Sequence, residues 1–326
     1  MVELVVSTES WPIRGTFTIS RGAKTQADVV VVELGAGQFK GRGECVPYAR
    51  YGESCDSVLE QIESIRQDVQ QGLGRIQLQQ QLPAGAARNA LDCAFWDLQA
   101  KLSRRGVWEL LDMPAMQPLT TAYTLSLDSP ENMHRAALEH ADRPLLKLKL
   151  AGEGDIERVR AVRRGEPEAR LIVDANEGWN PVVYRRMVPE FLKLEVEMIE
   201  QPLPAAEDDV LRSLERPISV CADESCHDSE SLKDIVGKYD MVNIKLDKAG
   251  GLTEAFQLRK AAEAEGLQIM VGCMLATSLA MAPAALLAQG AAIVDLDGPL
   301  LLERDRRPGL RFNRSLVYPP QPELWG

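Results

Sequence analysis

Charged side chains recur at the ends of short apolar runs along most of this chain. They are Lys147 and Lys149 in LKLKL, Asp174 and Asn176 in VDAN, Glu200 in IEQP, Asp223 and Glu224 in CADE, Lys245 and Asp247 in IKLD, and Asp295 and Asp297 in DLD. One such residue could be a rim group meeting solvent. Six runs ending this way, in phase, point to a shared polar site. Asp174, Glu200 and Asp223 come from consecutive runs and would converge on one side of it. Oxygen ligands without histidine suit a hard divalent cation, with Mg2+ the usual choice and Mn2+ the other. The histidines offer no zinc site: His134 and His140 share a helix-like stretch, His227 follows the CADE run, and all three read as solvated or helix-capping. Lys147 and Lys149 alternate with leucine, so both point to one face of their strand, and Lys245 would stand across the cavity. A lysine beside a cation and another lysine is expected to have its pKa lowered toward that of a usable base. Two bases on opposite faces of one carbon can take a proton from one side and return it on the other, while a divalent ion stabilises the charge that forms. That is the logic of a racemase or epimerase.

The elements that must position these residues are legible as eight strand-like runs, at 121–127, 145–150, 170–176, 197–202, 218–224, 241–247, 267–273 and 292–297. Their centres lie about 22 to 27 residues apart, room for one strand, one helix and two short loops. Parallel strands at that period imply a (β/α) barrel, whose strand ends build the site. Before the barrel, antiparallel strands reach to about residue 50, a helical stretch covers 55–72, and AARNALDCAFWDLQAKL reads as a strong helix. The chain therefore divides into an α+β unit at 1–115, a barrel at 116–298, and a Pro-rich segment at 299–326 expected to fold back onto the first unit. Gly35–Gly37 and Gly41–Gly43 read as hairpin glycines, since no helix follows them as a nucleotide loop requires.

Composition narrows the partners. The 326 residues carry 48 acidic and 37 basic side chains, a net charge of −11 with no Lys/Arg block, which argues against nucleic acid or an anionic membrane. No run approaches the ~20 apolar residues that cross a bilayer. The opening MVELVVSTES does not read as a signal peptide. Six cysteines without a C-x-x-C pair read as reduced and mostly buried, which favours a cytoplasmic location.

The motifs LKLKL (146–150), VDAN (173–176), IEQPLP (199–204), CADES (221–225) and NIKLDKAGG (243–251) together resemble the enolase superfamily, in particular its muconate-lactonising subgroup and the dipeptide epimerases within it. GRGECVPYARYGES and PAGAARNALDCAFWDLQAKL resemble that family's capping domain, so the likeness covers nearly the whole chain. It implies an α/β fold, a modified (β/α)7β TIM-type barrel with an α+β capping domain. It further implies that Asp174, Glu200 and Asp223 bind Mg2+, with Mn2+ as the alternative, and that Lys149 and Lys245 are the two acid/base residues, a known strategy of that superfamily. Lys147 would assist at the substrate carboxylate. Asp295 and Asp297 match the D-x-D that receives a dipeptide's ammonium, which needs carboxylates once desolvated. Arg21, from TISRGAKTQ, matches a capping-loop arginine that meets a glutamyl side chain, RYGES forms the second closing loop, and Thr124 and Met274 would line the substrate. Some relatives carry a polar or acidic residue where Ala276 stands. The implied reaction inverts the glutamyl α-carbon of L-Ala-D-Glu in murein-peptide metabolism, with a small dipeptide as partner. Another dipeptide or an N-acyl amino acid is the competing substrate, and a non-catalytic binding protein the competing class. Barrels of this kind often form symmetric homo-oligomers.

Overall fold

The computed structural model describes residues 2–326. The first unit is built on a three-stranded antiparallel sheet, β1 (Glu3–Ile19), β2 (Gly22–Ala36) and β3 (Phe39–Cys45). The apolar run of β2 buries Val29, Val30, Val32 and Leu34, and the helix Ala86–Ser103 packs against β3. Gly37, at φ 61°, makes the β2–β3 turn, but Gly41 and Gly43 lie inside β3 rather than in a hairpin. A Cβ at Gly43 would sit 2.0 Å from the Ala90 carbonyl oxygen, and one at Gly41 would sit 2.3 Å from that of Ala94. These glycines let the helix backbone approach the strand, a different use of glycine from a turn.

After a two-residue strand β4 (Leu119–Thr120), eight parallel strands follow: β5 (Tyr123–Leu125), β6 (Leu145–Lys149), β7 (Arg170–Asp174), β8 (Val196–Glu200), β9 (Ser219–Ala222), β10 (Met241–Ile244), β11 (Gln268–Val271) and β12 (Ile293–Val294). They pair in chain order, and the Ala122 N–H donates to the Val294 carbonyl at 2.8 Å, joining the first strand to the last. Five crossovers carry α-helices. Asn180 and Ser129 cap two of them by accepting backbone N–H groups. The connections after β8 and β9 instead carry 3-10 turns, Ala205–Ser213 and Ser231–Asp234. In the second, the Ser231 hydroxyl and the Asp228 carboxylate bond local main-chain groups, which competes with a regular helix.

The barrel interior is layered. Ala122, Leu145, Ile172, Met198, Cys221, Met241, Met270 and Ile293, one per strand, form a buried apolar floor. Because side chains alternate faces along a strand, the next inward positions are Thr124, Lys147, Asp174, Glu200, Asp223, Asn243, Gly272 and Asp295. Two residues further on stand Lys149, Lys245, Met274 and Asp297. At Gly272 a Cβ would lie 2.6 Å from Asn243 Oδ1, so this glycine leaves room for the amide beside it.

The last segment forms β13 (Phe312–Asn313) and β14 (Leu316–Val317), the latter pairing with β4. It then reaches the first unit, where Trp325 Nε1 donates to the Cys93 carbonyl at 2.9 Å and the Gly326 N–H to Asp97 Oδ1 at 2.7 Å. All six cysteines are free thiols, four of them buried. Among the described residues no helix is long and apolar enough to cross a membrane.

Candidate active site

A cavity of ≈ 490 Å³ opens at the C-terminal ends of the barrel strands and is roofed by the first unit. Of the side chains expected there, Lys147, Lys149, Asp223, Lys245, Asp295, Asp297, Thr124, Met274 and Arg21 line it. Asp174 and Glu200 are fully buried beneath the lysines. Lys149 ends β6 and Lys245 follows β10, four strands apart in an eight-stranded ring, which sets the two ammonium groups on opposite sides. Each is tied to a carboxylate: Lys149 Nζ to Asp174 Oδ2 at 2.6 Å, and Lys245 Nζ to Asp223 Oδ2 at 2.6 Å. Between them Lys147 Nζ lies 2.6 Å from Glu200 Oε2, 2.7 Å from Asp295 Oδ2 and 3.4 Å from Asp174 Oδ2.

The electrostatics follow from this crowding. Burial works to lower the Lys147 and Lys245 ammoniums, but their carboxylate neighbours outweigh it and hold both well above the usual lysine range. The expected lowering presupposes a cation beside these lysines. The carboxylates stand closer than any second lysine, and lowering would require a cation's charge to neutralise them. Burial also works to raise Asp174, but Lys149 and Lys147 hold it down at about 2. Lys245 and Lys248 keep Asp223 well below the ordinary carboxylate range, against its burial. Glu200 goes the other way, pushed up to about 7 by burial and then by the Asp174 charge.

Asp174, Glu200 and Asp223 fit a hard cation. The donor set is all oxygen, and Glu200 Oε2, fully buried, accepts no hydrogen bond of proper geometry although Lys147 lies in ion-pair contact. Among the described residues no three acidic side chains form a preassembled ligand cluster. Lys147 stands between Asp174 and Glu200, where a cation would replace its contacts. Asn243 Nδ2 steadies Glu200 by donating to Oε1 at 2.7 Å.

At the eighth strand, Asp297 Oδ2 accepts the Thr124 N–H at 2.6 Å, while Asp295 Oδ1 is buried without a partner. Burial and the Asp295 charge raise Asp297 to about 7. Arg21 lies at the cavity mouth, with its guanidinium committed to the Asn176 carbonyl at 2.8 Å and Glu224 Oε1 at 2.7 Å. Glu177, which the motifs do not single out, anchors both capping loops: it pairs with Arg21 at 3.3 Å and with Arg50 at 2.8 Å. Asp247 does not enter the cavity. Its Oδ1 turns to the first unit and accepts the Val46 N–H and the Asn89 amide. The histidines are half-buried: His134 Nδ1 meets the Ala161 carbonyl, His140 is the C-cap of the helix Pro130–Glu139 and lies tilted against Tyr123, and His227 packs edge-on against Tyr51. Sequence reasoning also missed Lys248, Asn243 and Gln201. The first two carried a signal, lying three residues after and two before Lys245.

Residues 132–317 match the family described as enolase C-terminal domain-like, and residues 1–112 match the mandelate racemase / muconate lactonizing enzyme N-terminal domain. The chain belongs to the mandelate racemase / muconate lactonizing enzyme family. Within it, the chain is 46% identical to the L-Ala-D/L-Glu epimerase of Escherichia coli (strain K12), over 95% of this chain and 97% of that one. It is also 46% identical to an N-acetyl-D-glutamate racemase of a Pseudoalteromonas species, over 91% and 95%. Among solved structures, it matches an Agrobacterium tumefaciens enolase family member with bound sodium and L-Ala-L-Glu (TM-score 0.98, 52% identity, 100% of both chains). It also matches an Enterococcus faecalis dipeptide epimerase complexed with Mg and L-Leu-L-Tyr (TM-score 0.91, 29% identity, 98% of this chain and 97% of that one). The chain is thus an isomerase of the enolase superfamily, with the epimerase fold of that family.

Proposed function

We propose that this enzyme epimerises the glutamyl α-carbon of L-Ala-D-Glu to give L-Ala-L-Glu, in murein-peptide metabolism. The observation that carries this reading is the position of Lys149 and Lys245 on opposite sides of one cavity, with Asp295 and Asp297 just beyond the strand that closes the barrel. One lysine, in its neutral form, takes the α-proton. The other, as an ammonium, delivers a proton to the opposite face, and reversing the roles runs the reaction backward. Asp174, Glu200 and Asp223 would hold Mg2+, which offsets the charge that develops on the substrate carboxylate. Lys147 adds a fixed ammonium beside the same carboxylate. Asp295 and Asp297 receive the substrate ammonium, and the unpartnered Asp295 Oδ1 supplies an acceptor for it. Arg21 stands where a glutamyl side-chain carboxylate would compete with Glu224 for the guanidinium.

Racemisation of an N-acyl glutamate is the second reading, favoured by the Pseudoalteromonas relative. Asp295 already has Lys147 as partner, and burial with the Asp295 charge raises Asp297, which favours a neutral carboxyl that can also face an amide. A non-catalytic role is disfavoured because both lysines and all three carboxylates are in place. Proton NMR in D2O with Mg2+ separates these readings. Loss of the glutamyl α-proton signal with appearance of the L,L diastereomer, abolished by EDTA, supports dipeptide epimerisation. Exchange confined to N-acetyl-D-glutamate selects the second reading, and exchange of neither overturns both.

A further inference from the structure

Lys245 is followed at once by the short helix Leu246–Ala249, so Lys245 and Lys248 stand three residues apart and share a face. Both reach Asp223, but they hold it differently. Lys245 Nζ takes Oδ2 alone, at 2.6 Å. Lys248 Nζ takes Oδ1 at 2.7 Å, the Asp223 main-chain oxygen at 2.5 Å and the Asn243 main-chain oxygen at 2.9 Å. An ammonium has three protons, and here three acceptors meet them. The Lys248 side chain is wholly shielded from solvent and, unlike Lys147, Lys149 and Lys245, does not line the cavity. From the other side, Gln201 Oε1 accepts the Asp223 N–H at 2.8 Å. Asp223 is therefore tethered at its N–H, its carbonyl and one carboxylate oxygen. Oδ2 is the oxygen left to the site.

We propose that Lys248 is a positioning residue that clamps Asp223 Oδ1, so that Asp223 offers a divalent cation one oxygen only. This rests on the reading of Asp223 as a cation ligand. Lys245 can yield Oδ2 to a cation, whereas Lys248, satisfied at three acceptors, stays. The consequence is selectivity. Mg2+ demands small octahedral geometry and is well served by one-oxygen carboxylates, whereas Ca2+ is larger and readily takes a carboxylate through both oxygens. Freeing Oδ1 should favour Ca2+.

The test is competition of Mg2+ and of Ca2+ against Mn2+, read from the EPR signal of free Mn2+, on the wild-type protein and Lys248→Met. Loss of the ammonium's charge changes the affinity for both divalent ions alike, so the Ca2+/Mg2+ ratio isolates the geometry. The ratio is expected to shift toward Ca2+ by about tenfold, the lower end for losing an outer partner of a metal ligand. An unchanged ratio overturns the proposal whatever the absolute affinities do, because a merely structural role would leave it where it was. If Lys248→Met does not fold, Lys248→Gln is read the same way, since an amide cannot hold all three acceptors. Wild-type protein that binds no Mn2+ would refute the ligand reading of Asp223 itself, and the clamp with it.

Discussion

The raised titration of Asp297 gives the proposed ammonium site a pH dependence that a substrate without an ammonium does not share. Asp297 is buried, sits beside the Asp295 charge and titrates at about 7, although it accepts the Thr124 N–H. Only its ionised form attracts the dipeptide ammonium fully. About 3% of it is ionised at pH 5.5 and about three-quarters at pH 7.5, while the dipeptide amine, with a pKa near ~8, remains mostly protonated. Because kcat/KM reports the free enzyme and free substrate, its value for L-Ala-D-Glu should rise about 10- to 20-fold over that interval and fall again above pH 8. Glu200, raised to about 7 as well, also moves kcat/KM, but it acts equally on a substrate without an ammonium. The assay is therefore the ratio of kcat/KM for L-Ala-D-Glu to that for N-acetyl-D-glutamate, followed by polarimetry from pH 5.5 to 8.5. Asp297→Asn keeps an oxygen for the Thr124 N–H and removes the charge. It should flatten the ratio and lower kcat/KM for the dipeptide about 10- to 100-fold at pH 7.5, the worth of one charge-assisted hydrogen bond. A ratio that is flat in the wild type, or a dipeptide kcat/KM untouched by Asp297→Asn, would refute the assignment of Asp297 to the ammonium.

The two-base geometry predicts a one-sided defect. Lys149→Met and Lys245→Met should each lower epimerisation by about 10²- to 10⁴-fold, yet each should still exchange the α-proton of one diastereomer with D2O, a different one in each variant; equal exchange from both diastereomers in either would show that one base serves both faces. In the capping unit, Gly43→Ala would drive a Cβ to 2.0 Å from the Ala90 carbonyl oxygen and 2.9 Å from the Ala94 nitrogen, both rigid backbone. It should destabilise the protein by about 3 kcal/mol, seen as a lower urea midpoint, and an unchanged midpoint would contradict the strand–helix contact.

What the sequence determined by itself was whatever depends on local period. An apolar residue such as Leu145, Ile172, Met198 or Cys221, followed two positions on by Lys147, Asp174, Glu200 or Asp223, reads the same on paper as in the barrel, because alternation along a strand is a property of a few residues. The recurrence of such runs then implied the closed parallel sheet, and the chemistry of the strand ends implied proton transfer between two lysines. Tertiary structure decided what depends on distant partners. Asp247 lies on the same motif as Lys245, but the Val46 N–H and the Asn89 amide turn it away from the cavity. Gly41 and Gly43 look like turn residues until the helix Ala86–Ser103 is laid against them. The raised ammoniums of Lys147 and Lys245, the opposed shifts of Asp174 and Glu200, and the commitment of Arg21 to Glu224 likewise follow from burial and from charges on other strands. Electrostatic energies depend on separation in space and on exclusion of water, and neither is written in the spacing of residues along the chain.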